Sequence, residues 1–581
     1  AREGICLVVT PLIALMKDQV DQLNRLKVKA LAIHSGMNPY EIDVALNNCV
    51  YGGFKFLYVS PERLGTQLFR TRVVDMNVNL LAVDEAHCIS QWGYDFRPSY
   101  LEILKLRELL GEVPVLALSA TATPEVCDDI QDRLGFGQKN LFQKSFNRDN
   151  LDYLVLHSED KVRALLDTLG GLEGSGIVYT RSRKKSMEIS QLLKEQGMAA
   201  DYYHAGIKQE IRSQKQEDWM RDRIRIMVAT NAFGMGIDKA DVRFVIHMDL
   251  PDGPEAYFQE AGRAGRDGLH ARAILFYSPA DKRMVEQRIA VNFPGIPKIR
   301  ELYTALCNYL QIPLGSGRGQ QYDFELGAFL HRYRFSAMVA HSALQTLARE
   351  GYIVLTEAFH NPSRIKFQAE RDELYTFQVK NAGFDSFIRL LLRTYSGLFS
   401  QFVRIDEALL ARRSGLSQEK VRSYLQTLSK RQIIHYIPRK EIPLITFLEE
   451  RLDDRNLLIS PELYNFRKVR YEKRIREMLR YASSKNICRN QFLLSYFGQM
   501  EVPRCGRCDV CHSKEELKVD GEEFRELVER ISVLLSDREL LLDELLEQAS
   551  MERDKVIQVA EYLLDQGRIQ RKKDLRLIWK G

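Results

Sequence analysis

Leu80-Leu81-Ala82-Val83-Asp84-Glu85-Ala86-His87 sets four apolar residues directly before two carboxylates. The run is short and continuously apolar, which fits a strand buried on both faces of a parallel sheet. Open α/β sheets bind ligands beyond the carboxyl ends of their strands, and Asp84 and Glu85 stand at such an end. One carboxylate there can hold Mg2+ while its neighbour orients a water for attack on a γ-phosphate. For a bare Asp-Glu pair, a solvated acidic turn is the better reading; the full Asp84–His87 string and the residues after it reverse that. Cys88 to Tyr100 (CISQWGYDFRPSY) gathers Trp92, Tyr94, Phe96, Tyr100 and Arg97 within thirteen residues punctuated by Gly93 and Pro98. Single-stranded nucleic acid stacks on aromatic faces and guanidinium planes. The competing use of any one ring is a small buried cluster.

The strand-then-motif pattern recurs on both sides. Ile5–Val9, Phe56–Val59 and Val115–Leu118 are strand-like, with helical patterns between them at Leu12–Leu26 and Tyr100–Leu110. Such alternation predicts a parallel sheet with helices on both faces. Thr10-Pro11-Leu12 opens the helix that carries Lys17; Ser60-Pro61-Glu62-Arg63-Leu64 follows the second strand; Ser119-Ala120-Thr121-Ala122-Thr123-Pro124 follows the last. Proline is common at a first helical position for structural reasons alone, and free N–H groups beside hydroxyls also hold phosphate.

Further along, Gly176–Thr180 ends beside Arg181-Ser182-Arg183-Lys184-Lys185, a helix spans Ser186–Gln196, and Tyr202–Gly206 closes another strand. Ile224–Ala229 leads into Thr230-Asn231-Ala232-Phe233-Gly234-Met235-Gly236-Ile237-Asp238. Glycines there let backbone approach a phosphate or ribose, and Asp238 can accept from a hydroxyl; an isolated Gly-x-Gly would read as a turn. In Gln259–Gly268 (QEAGRAGRDG), Arg263 and Arg266 are three apart. That spacing predicts both on one helical face, placed to clamp a nucleotide and stabilise a transferring phosphoryl group.

The 581 residues suffice for about four to six domains. Their 84 basic and 78 acidic side chains leave +6, too mild a balance to imply nucleic acid. Local basic clusters matter more: 181–185, Arg467–Arg480 and Arg571-Lys572-Lys573, each of which reads first as a solvated face. No signal peptide or membrane span is apparent, and Ile5–Val9 is too short to cross a bilayer. Of nine cysteines, five are scattered singly, as in a cytoplasmic protein with reduced thiols.

From about Asp281 the pattern becomes helical, and one motif recurs: Leu344–Ile353 (LQTLAREGYI), Leu425–Ile434 (LQTLSKRQII) and Ala560–Ile569 (AEYLLDQGRI). Each is an amphipathic helix, a turn and a short β-rich run, the outline of a winged-helix recognition helix entering its wing. Such units bind duplex DNA or serve only for packing. Tyr322–Ala328 and His360–Phe367 are expected to supply linking strands or wings. Cys488 with Cys505-x-x-Cys508-x-x-Cys511 offers four thiolates to a closed tetrahedral Zn2+. His512 competes for the fourth position, but neighbouring residues share one ion poorly, so Cys488 is preferred. Before this cluster, Phe466–Tyr481 carries Arg467, Lys468, Arg470, Lys473, Arg474, Arg476 and Arg480, which can lie against phosphates.

Together these stretches resemble a superfamily 2 helicase of the DEAH type, and closely the RecQ family. Val8–Val20, Tyr58–Leu64, Asp84–His87 and Ser119–Thr121 resemble motifs Ia, Ib, II and III. Gly176–Thr180, Thr230–Asp238 and Gln259–Arg266 resemble motifs IV, V and VI. Cys88–Tyr100 resembles the aromatic-rich loop, with Trp92, Phe96 and Arg97 matching its positions and Tyr94 standing where many members have His. Ala261 replaces a common Thr. Cys488 to Cys511 resembles the RecQ zinc module. The fold implied is α/β: two RecA-like parallel-sheet lobes, the first incomplete, then winged-helix-like helical modules and a small zinc-binding module. The expected domains are lobe 1 at 1–146, lobe 2 at 147–280, winged-helix-like modules at 281–375, 376–465 and 516–581, and the zinc module at 466–515. The insertion of 281–465 between motor and zinc module departs from the simplest family layout.

The resemblance implies an ATP-dependent, 3′→5′ DNA helicase acting in repair, recombination and replication. It implies ATP, Mg2+ and Zn2+ as cofactors, single-stranded and duplex DNA as partners, no membrane, and a cytoplasmic location. Catalysis would rest on Asp84, Glu85, His87, Arg263 and Arg266, with His87 relaying hydrolysis to the aromatic loop. Nucleotide would meet Ser119, Thr121, Gly236, Asp238 and Gln259. DNA would meet Thr10, Pro11, Lys17, Ser60, Arg63, Trp92, Phe96, Arg97, Arg181 and Thr230, and zinc Cys488, Cys505, Cys508 and Cys511. The other readings are a DEAH RNA helicase and a non-catalytic DNA-binding paralogue. No Gly-Lys-Ser or Gly-Lys-Thr phosphate cradle occurs in the 581 residues. Ala1-Arg2-Glu3-Gly4 reads as a capped helix end. The expectation is therefore a chain truncated before its phosphate loop and, by itself, without ATPase activity.

Overall fold

The computed structural model describes residues 3–11, 13–34, 37, 39–93, 95–234, 238–356, 363–399, 402–438, 444–500, 502–512, 521–536, 538–565, 568–572 and 575–580. Its first sheet is parallel and joins β1 (Ile5–Val9), β2 (Ala30–Ile33), β3 (Phe56–Val59), β4 (Val78–Val83) and β5 (Val115–Ala117) in the order β2-β3-β1-β4-β5. Side chains alternate between two buried faces, as the strand period requires. Leu7, Val9, Leu57, Val59, Leu81 and Val83 enter one core, and Cys6, Val8, Tyr58 and Ala82 the other. This is why the strands read as unbroken apolar runs. β2 escapes the sequence reading because two of its four residues are alanines, weak strand formers; pairing with β3 makes it a strand.

The register positions the site. Val9 lies beside both Val59 and Val83, and Val83 beside Ala117. Strands β1, β3, β4 and β5 thus end level, and Thr10, Ser60, Asp84 and Leu118 leave the sheet along one edge. Asp84 N–H donates to Val9 O at 2.9 Å, and Leu118 N–H to Val83 O at 2.8 Å, carrying the pairing one residue past the strands.

A second parallel sheet joins β6 (Leu151–His157), β7 (Ser175–Tyr179), β8 (Ala200–Tyr203), β9 (Ile226–Ala229), β10 (Val242–His247) and β11 (Ala271–Tyr277) in the order β6-β11-β10-β7-β9-β8. Tyr179 pairs with Ala229 and His247, so Thr180, Thr230 and Met248 also share one carboxyl edge.

The chain divides into two compact units, Ala1–Val285 with Val469–Gly581, and Glu286–Lys468. Among its described residues the second holds two antiparallel sheets. β12 (Gln321–Asp323) and β13 (Ile353–Thr356) both pair with β17 (Leu444–Phe447); between them in sequence, β14 (Arg364–Phe367) pairs with β15 (Val403–Arg404) and β16 (Ile434–Ile437). One module is therefore nested inside the wing of another. Their cores are separate: Leu302, Leu347, Ile353, Ile445 and Phe447 belong to the outer, Ile365, Leu391, Leu425 and Ile434 to the inner. The sequence placed the border at 375/376; the strand pairing instead assigns 364–437 to the inner module and returns 444–447 to the outer. Residues 360–362, the start of the expected linking segment His360–Phe367, lie outside the described residues.

The recurring motif forms the same local structure each time. Helices Ala337–Arg349, Gln418–Lys430 and Arg553–Asp565 run into β13, β16 and β18 (Ile569–Arg571), the last paired with β19 (Leu577–Trp579). At equivalent turn positions Gly351 has φ 83° and Gln432 φ 60°. The second copy thus takes a left-handed turn without glycine. Among the described residues no helix is long and apolar enough to cross a membrane.

Inside the inner module, Glu407 accepts from Tyr436 Oη at 2.6 Å, from Arg422 Nε at 2.5 Å and from Ser363 Oγ. Burial works to raise its pKa, but the donors Arg422, Ser363 and Tyr436 outweigh it and hold the carboxyl below its usual value. Glu407→Ala is expected to cost about 3 kcal/mol at neutral pH. A depressed carboxyl stabilises above its unfolded pKa of about 4.3 and ceases to as pH falls through its folded value. The deficit should therefore shrink in acid. Hydrogen exchange of helix Gln418–Lys430, compared between variant and parent from pH 7 downward, checks both the loss and its sign.

Candidate active site and metal centre

Asp84 Oδ2 accepts from Thr10 Oγ1 at 3.1 Å, its Oδ1 from the Glu85 N–H at 2.9 Å, and its backbone carbonyl from Tyr100 Oη at 3.0 Å. The carboxylate is thus fixed between two strand ends. Glu85 sits in left-handed backbone, φ 47° and ψ 45°. That conformation is costly for a side chain larger than glycine and recurs where a site dictates side-chain direction. Burial first, and the Asp84 carboxylate second, push the Glu85 carboxyl up to about 7, while Arg263 pulls it down. Arg263 therefore stands close enough to Glu85 to act on its charge, although one belongs to the first sheet's lobe and the other to the second's. His87 is 1 % exposed, and its Nδ1 lies 3.1 Å from Ser119 Oγ and 3.3 Å from Glu85 Oε2. Burial pushes this imidazole down to about 4, so it is neutral at pH 7. Thr121 Oγ1 is buried and has no hydrogen-bond partner among the described residues.

The aromatic loop is packed directly on this group. A Cβ on Gly93 would lie 2.3 Å from the His87 carbonyl oxygen, so only glycine permits the approach. The Arg97 N–H donates to Cys88 O at 2.9 Å, and the Arg97 guanidinium pairs with Asp95 at 3.0 Å. Trp92 is 40 % exposed, Phe96 half-buried and Tyr100 buried; Tyr94 lies outside the described residues.

On the second lobe, helix Pro254–Ala261 ends before the arginine pair. The chain turns through Gly265 at φ 64°, so Arg263 and Arg266 do not share a helical face as their spacing predicted. Arg263 is 5 % exposed, stands close enough to the Tyr179 hydroxyl to act on its charge, and keeps Nε without a partner among the described residues. Arg266 is more open and pairs with Asp238 at 2.7 Å. Two expected nucleotide contacts thus engage each other. Gln259 is half-buried, and Gly236 lies outside the described residues.

Of the expected DNA contacts, Thr10, Ser60 and Thr230 are buried hydroxyls at strand ends, and Lys17 is exposed. Pro11 is half-buried. Arg63 donates to His34 O at 3.3 Å, and Arg181 pairs with Asp252 at 2.9 Å. Helix Pro461–Ser483 presents fewer free cations than its sequence promised. Arg467 faces Glu350 at 3.7 Å, Arg476 faces Glu472 at 3.9 Å and Arg480 faces Glu477 at 3.8 Å. Arg470 and Arg474 turn to the aromatic loop.

Cys488, Cys505, Cys508 and Cys511 bring their Sγ atoms within 4.8 Å of one another. Individual separations are 3.5 Å for Cys488–Cys505, 3.9 Å for Cys488–Cys508 and 3.4 Å for Cys508–Cys511. A tetrahedron of thiolates at the zinc–sulfur bond length has edges of about 3.8 Å, so the four sulfurs fit Zn2+. His512 is not among the gathered atoms. Sequence reasoning overlooked what supports the cluster. Arg489, 1 % exposed, reaches Asp509 with Nε at 3.0 Å and Nη2 at 2.7 Å, and donates to Tyr481 O. Asp509 Oδ1 also accepts from the Val155 N–H at 3.1 Å, tying the cluster to β6. The available signal was an opposite charge immediately after two of the cysteines.

Four family models match in chain order: a DEAD/DEAH box helicase at 1–130, a helicase conserved C-terminal domain at 160–268, a RecQ helicase winged-helix domain of Bacteroidota at 365–438, and a RecQ zinc-binding domain at 451–512. The chain belongs to the RecQ family. A protein of Bacillus subtilis (strain 168) named ATP-dependent DNA helicase RecQ is 45% identical over 282 residues, covering 48% of this chain and 48% of that protein. Its namesake in Pasteurella multocida (strain Pm70) is 44% identical over 280 residues, covering 48% and 44%. The B. subtilis protein named probable ATP-dependent DNA helicase RecS is 38% identical over 309 residues, covering 52% and 62%. This RecQ chain spans about half the length of the first two. The inner winged module, whose border the sequence misplaced, coincides with the 365–438 match.

Proposed function

We propose that this RecQ chain is the motor and DNA-binding part of an ATP-dependent DNA helicase that moves 3′→5′ along single-stranded DNA and separates duplexes. The observation that supports it best is the Asp84–Glu85 pair at one sheet's carboxyl edge, backed by the aromatic loop, with the charge of Arg263 from the other lobe acting on Glu85.

In this reading Asp84 would hold Mg2+, which would supply positive charge beside the phosphates, and Glu85 would orient the attacking water. Arg263 faces the charge that develops on the transferring phosphoryl group, and Arg266 joins it by leaving Asp238. Ser119, Thr121, Gly236, Asp238 and Gln259 line the nucleotide. Neutral His87, between Glu85 and Ser119 and under Gly93, passes the state of the site to Trp92, Phe96 and Arg97. Thr10, Pro11, Lys17, Ser60, Arg63, Arg181 and Thr230 follow the strand's phosphates, which carry no sequence information. The four cysteines hold a structural Zn2+, and the winged modules meet duplex DNA. With five cysteines outside the cluster all unpaired, we place the protein in the cytoplasm.

The polypeptide of these 581 residues should bind a single-stranded oligodeoxynucleotide more tightly than RNA of the same sequence, in an anisotropy titration at fixed salt. Equal or tighter RNA binding would turn the reading toward an RNA helicase. Because these residues contain no Gly-Lys-Ser or Gly-Lys-Thr cradle, the same polypeptide should release phosphate from ATP only at background rate. DNA-stimulated turnover would overturn that expectation.

A further inference from the structure

His204 follows β8 at the carboxyl edge of the second sheet, beside Thr230, whose N–H donates to Tyr203 O at 3.2 Å. The residue is 8 % exposed, and neither ring nitrogen has a hydrogen-bond partner among the described residues. Burying an imidazole in that state costs free energy that an apolar side chain would not cost. The ring stacks on Tyr202, with centroids 5.6 Å apart. Gly206 leaves one side of it open: a Cβ there would lie 3.3 Å from His204 Nδ1 and 3.0 Å from Arg183 Nη1. One point is thus within hydrogen-bond reach of both nitrogens. Arg183 is exposed, forms no ion pair among the described residues, and is the first residue of helix Arg183–Glu195. The opening N–H groups of such a helix have no partner within it and favour negative charge. The other element packed here, helix Gln209–Met220, adds Lys215, which acts on the ring and lies 2.5 Å from Asp201 Oδ2, and Arg212, which acts on Tyr203.

We infer that His204 and Arg183 form a proton-linked phosphate site: one phosphodiester of single-stranded DNA sits at the opening left by Gly206, and His204 gains a proton from solvent as it binds. Burial first and Arg183 second hold the free imidazole below its usual value, so at pH 7 it is mainly neutral. A phosphate within hydrogen-bond distance favours the charged ring and raises that value. Affinity therefore increases as pH falls from the bound value towards the free one. The inference rests on the proposed DNA-binding function and adds to it a contact and the chemistry by which that contact answers to pH.

The test titrates a labelled oligodeoxythymidylate of about 16 nucleotides with the full chain as parent, His204→Leu, His204→Gln and Arg183→Gln, from about pH 8 to about pH 6. The parent should tighten about fivefold over that range. His204→Leu should lose this response and bind about tenfold more weakly than the parent at the acid end. His204→Gln, which keeps a donor but cannot gain charge, should lose the response and keep part of the affinity. Arg183→Gln should reduce the slope of log affinity against log salt by about 0.7; an unchanged slope would overturn its part in the site. His204→Leu should melt no lower than the parent, since it removes no hydrogen bond. A variant that melts lower yet keeps the parent's pH response would make His204 a packing residue and overturn the inference. Inorganic phosphate at matched ionic strength should not displace the oligonucleotide; displacement that His204→Leu abolishes would make this a site for free phosphate, which also overturns it. If the parent binds RNA as tightly as DNA, the proposed function fails and the inference with it. If DNA is preferred but both His204 variants respond to pH as the parent does, the inference fails alone.

Discussion

Cys508→Ser is expected to release the zinc ion and unfold the segment around residues 502–512. Cys508 is fully buried, and its sulfur lies 3.9 Å from that of Cys488 and 3.4 Å from that of Cys511, so a hydroxyl in its place removes one thiolate from a closed set. Structural zinc contributes about 10 kcal/mol or more to small Cys-rich folds at neutral pH, beyond what the few apolar neighbours of this cluster can replace. Metal analysis of the purified parent should give about one zinc per chain, and of the variant nearly none. Amide exchange across residues 502–512 should reach the rate of unfolded chain. A variant that kept its zinc would refute the ligand assignment. Chelation at low pH, where thiolates protonate, should reproduce the effect in the parent.

Asp509→Ala is the second large effect. It leaves the Arg489 guanidinium, 1 % exposed, without its bidentate partner. Removing one member of a buried ion pair costs about 3–5 kcal/mol, because the other charge stays buried and uncompensated. Asp509 also accepts from the Val155 N–H, so the substitution should loosen the attachment of the zinc module to β6. The expected result is faster amide exchange at both Val155 and helix Arg489–Tyr496, with zinc still bound at neutral pH. Replacing both partners by apolar residues, Arg489→Met with Asp509→Leu, should recover much of the loss. Exchange at Val155 unchanged by Asp509→Ala would show that the pair carries no such load.

How legible these features were in the sequence follows from their range. β1, β3 and β4 could be read because they are buried on both faces, and the motifs at their ends could be placed because parallel strands that end level bring such motifs together. The metal ligands were legible because thiolates at that spacing have few other uses. Arg263 and Arg266 were misread together: their spacing suggests a helix, but helix Pro254–Ala261 has ended before both, and burial then separates their fates. The partners of the arginines in helix Pro461–Ser483 were not legible, because a basic run looks the same whether it faces phosphate, carboxylates or an aromatic loop. The nesting of one winged module in another left no local trace, since it consists of pairing between strands far apart in the chain.

That nesting bears on how the protein is made. Thr356 pairs with Leu444 in the outer sheet, and Arg364 with Ile437 in the inner one, so both ends of the inner module lie where the outer hairpin continues. During synthesis β13 emerges well before β17, and the outer wing stays open until the whole inner module has followed it. A folded inner module holds its own ends side by side and so shortens the loop that the outer sheet must close, lowering the entropy that closure costs. The inner module would then act as a tether for its host, completing first and delivering β17 to β13. A destabilised inner core would show itself as slow maturation of the outer wing.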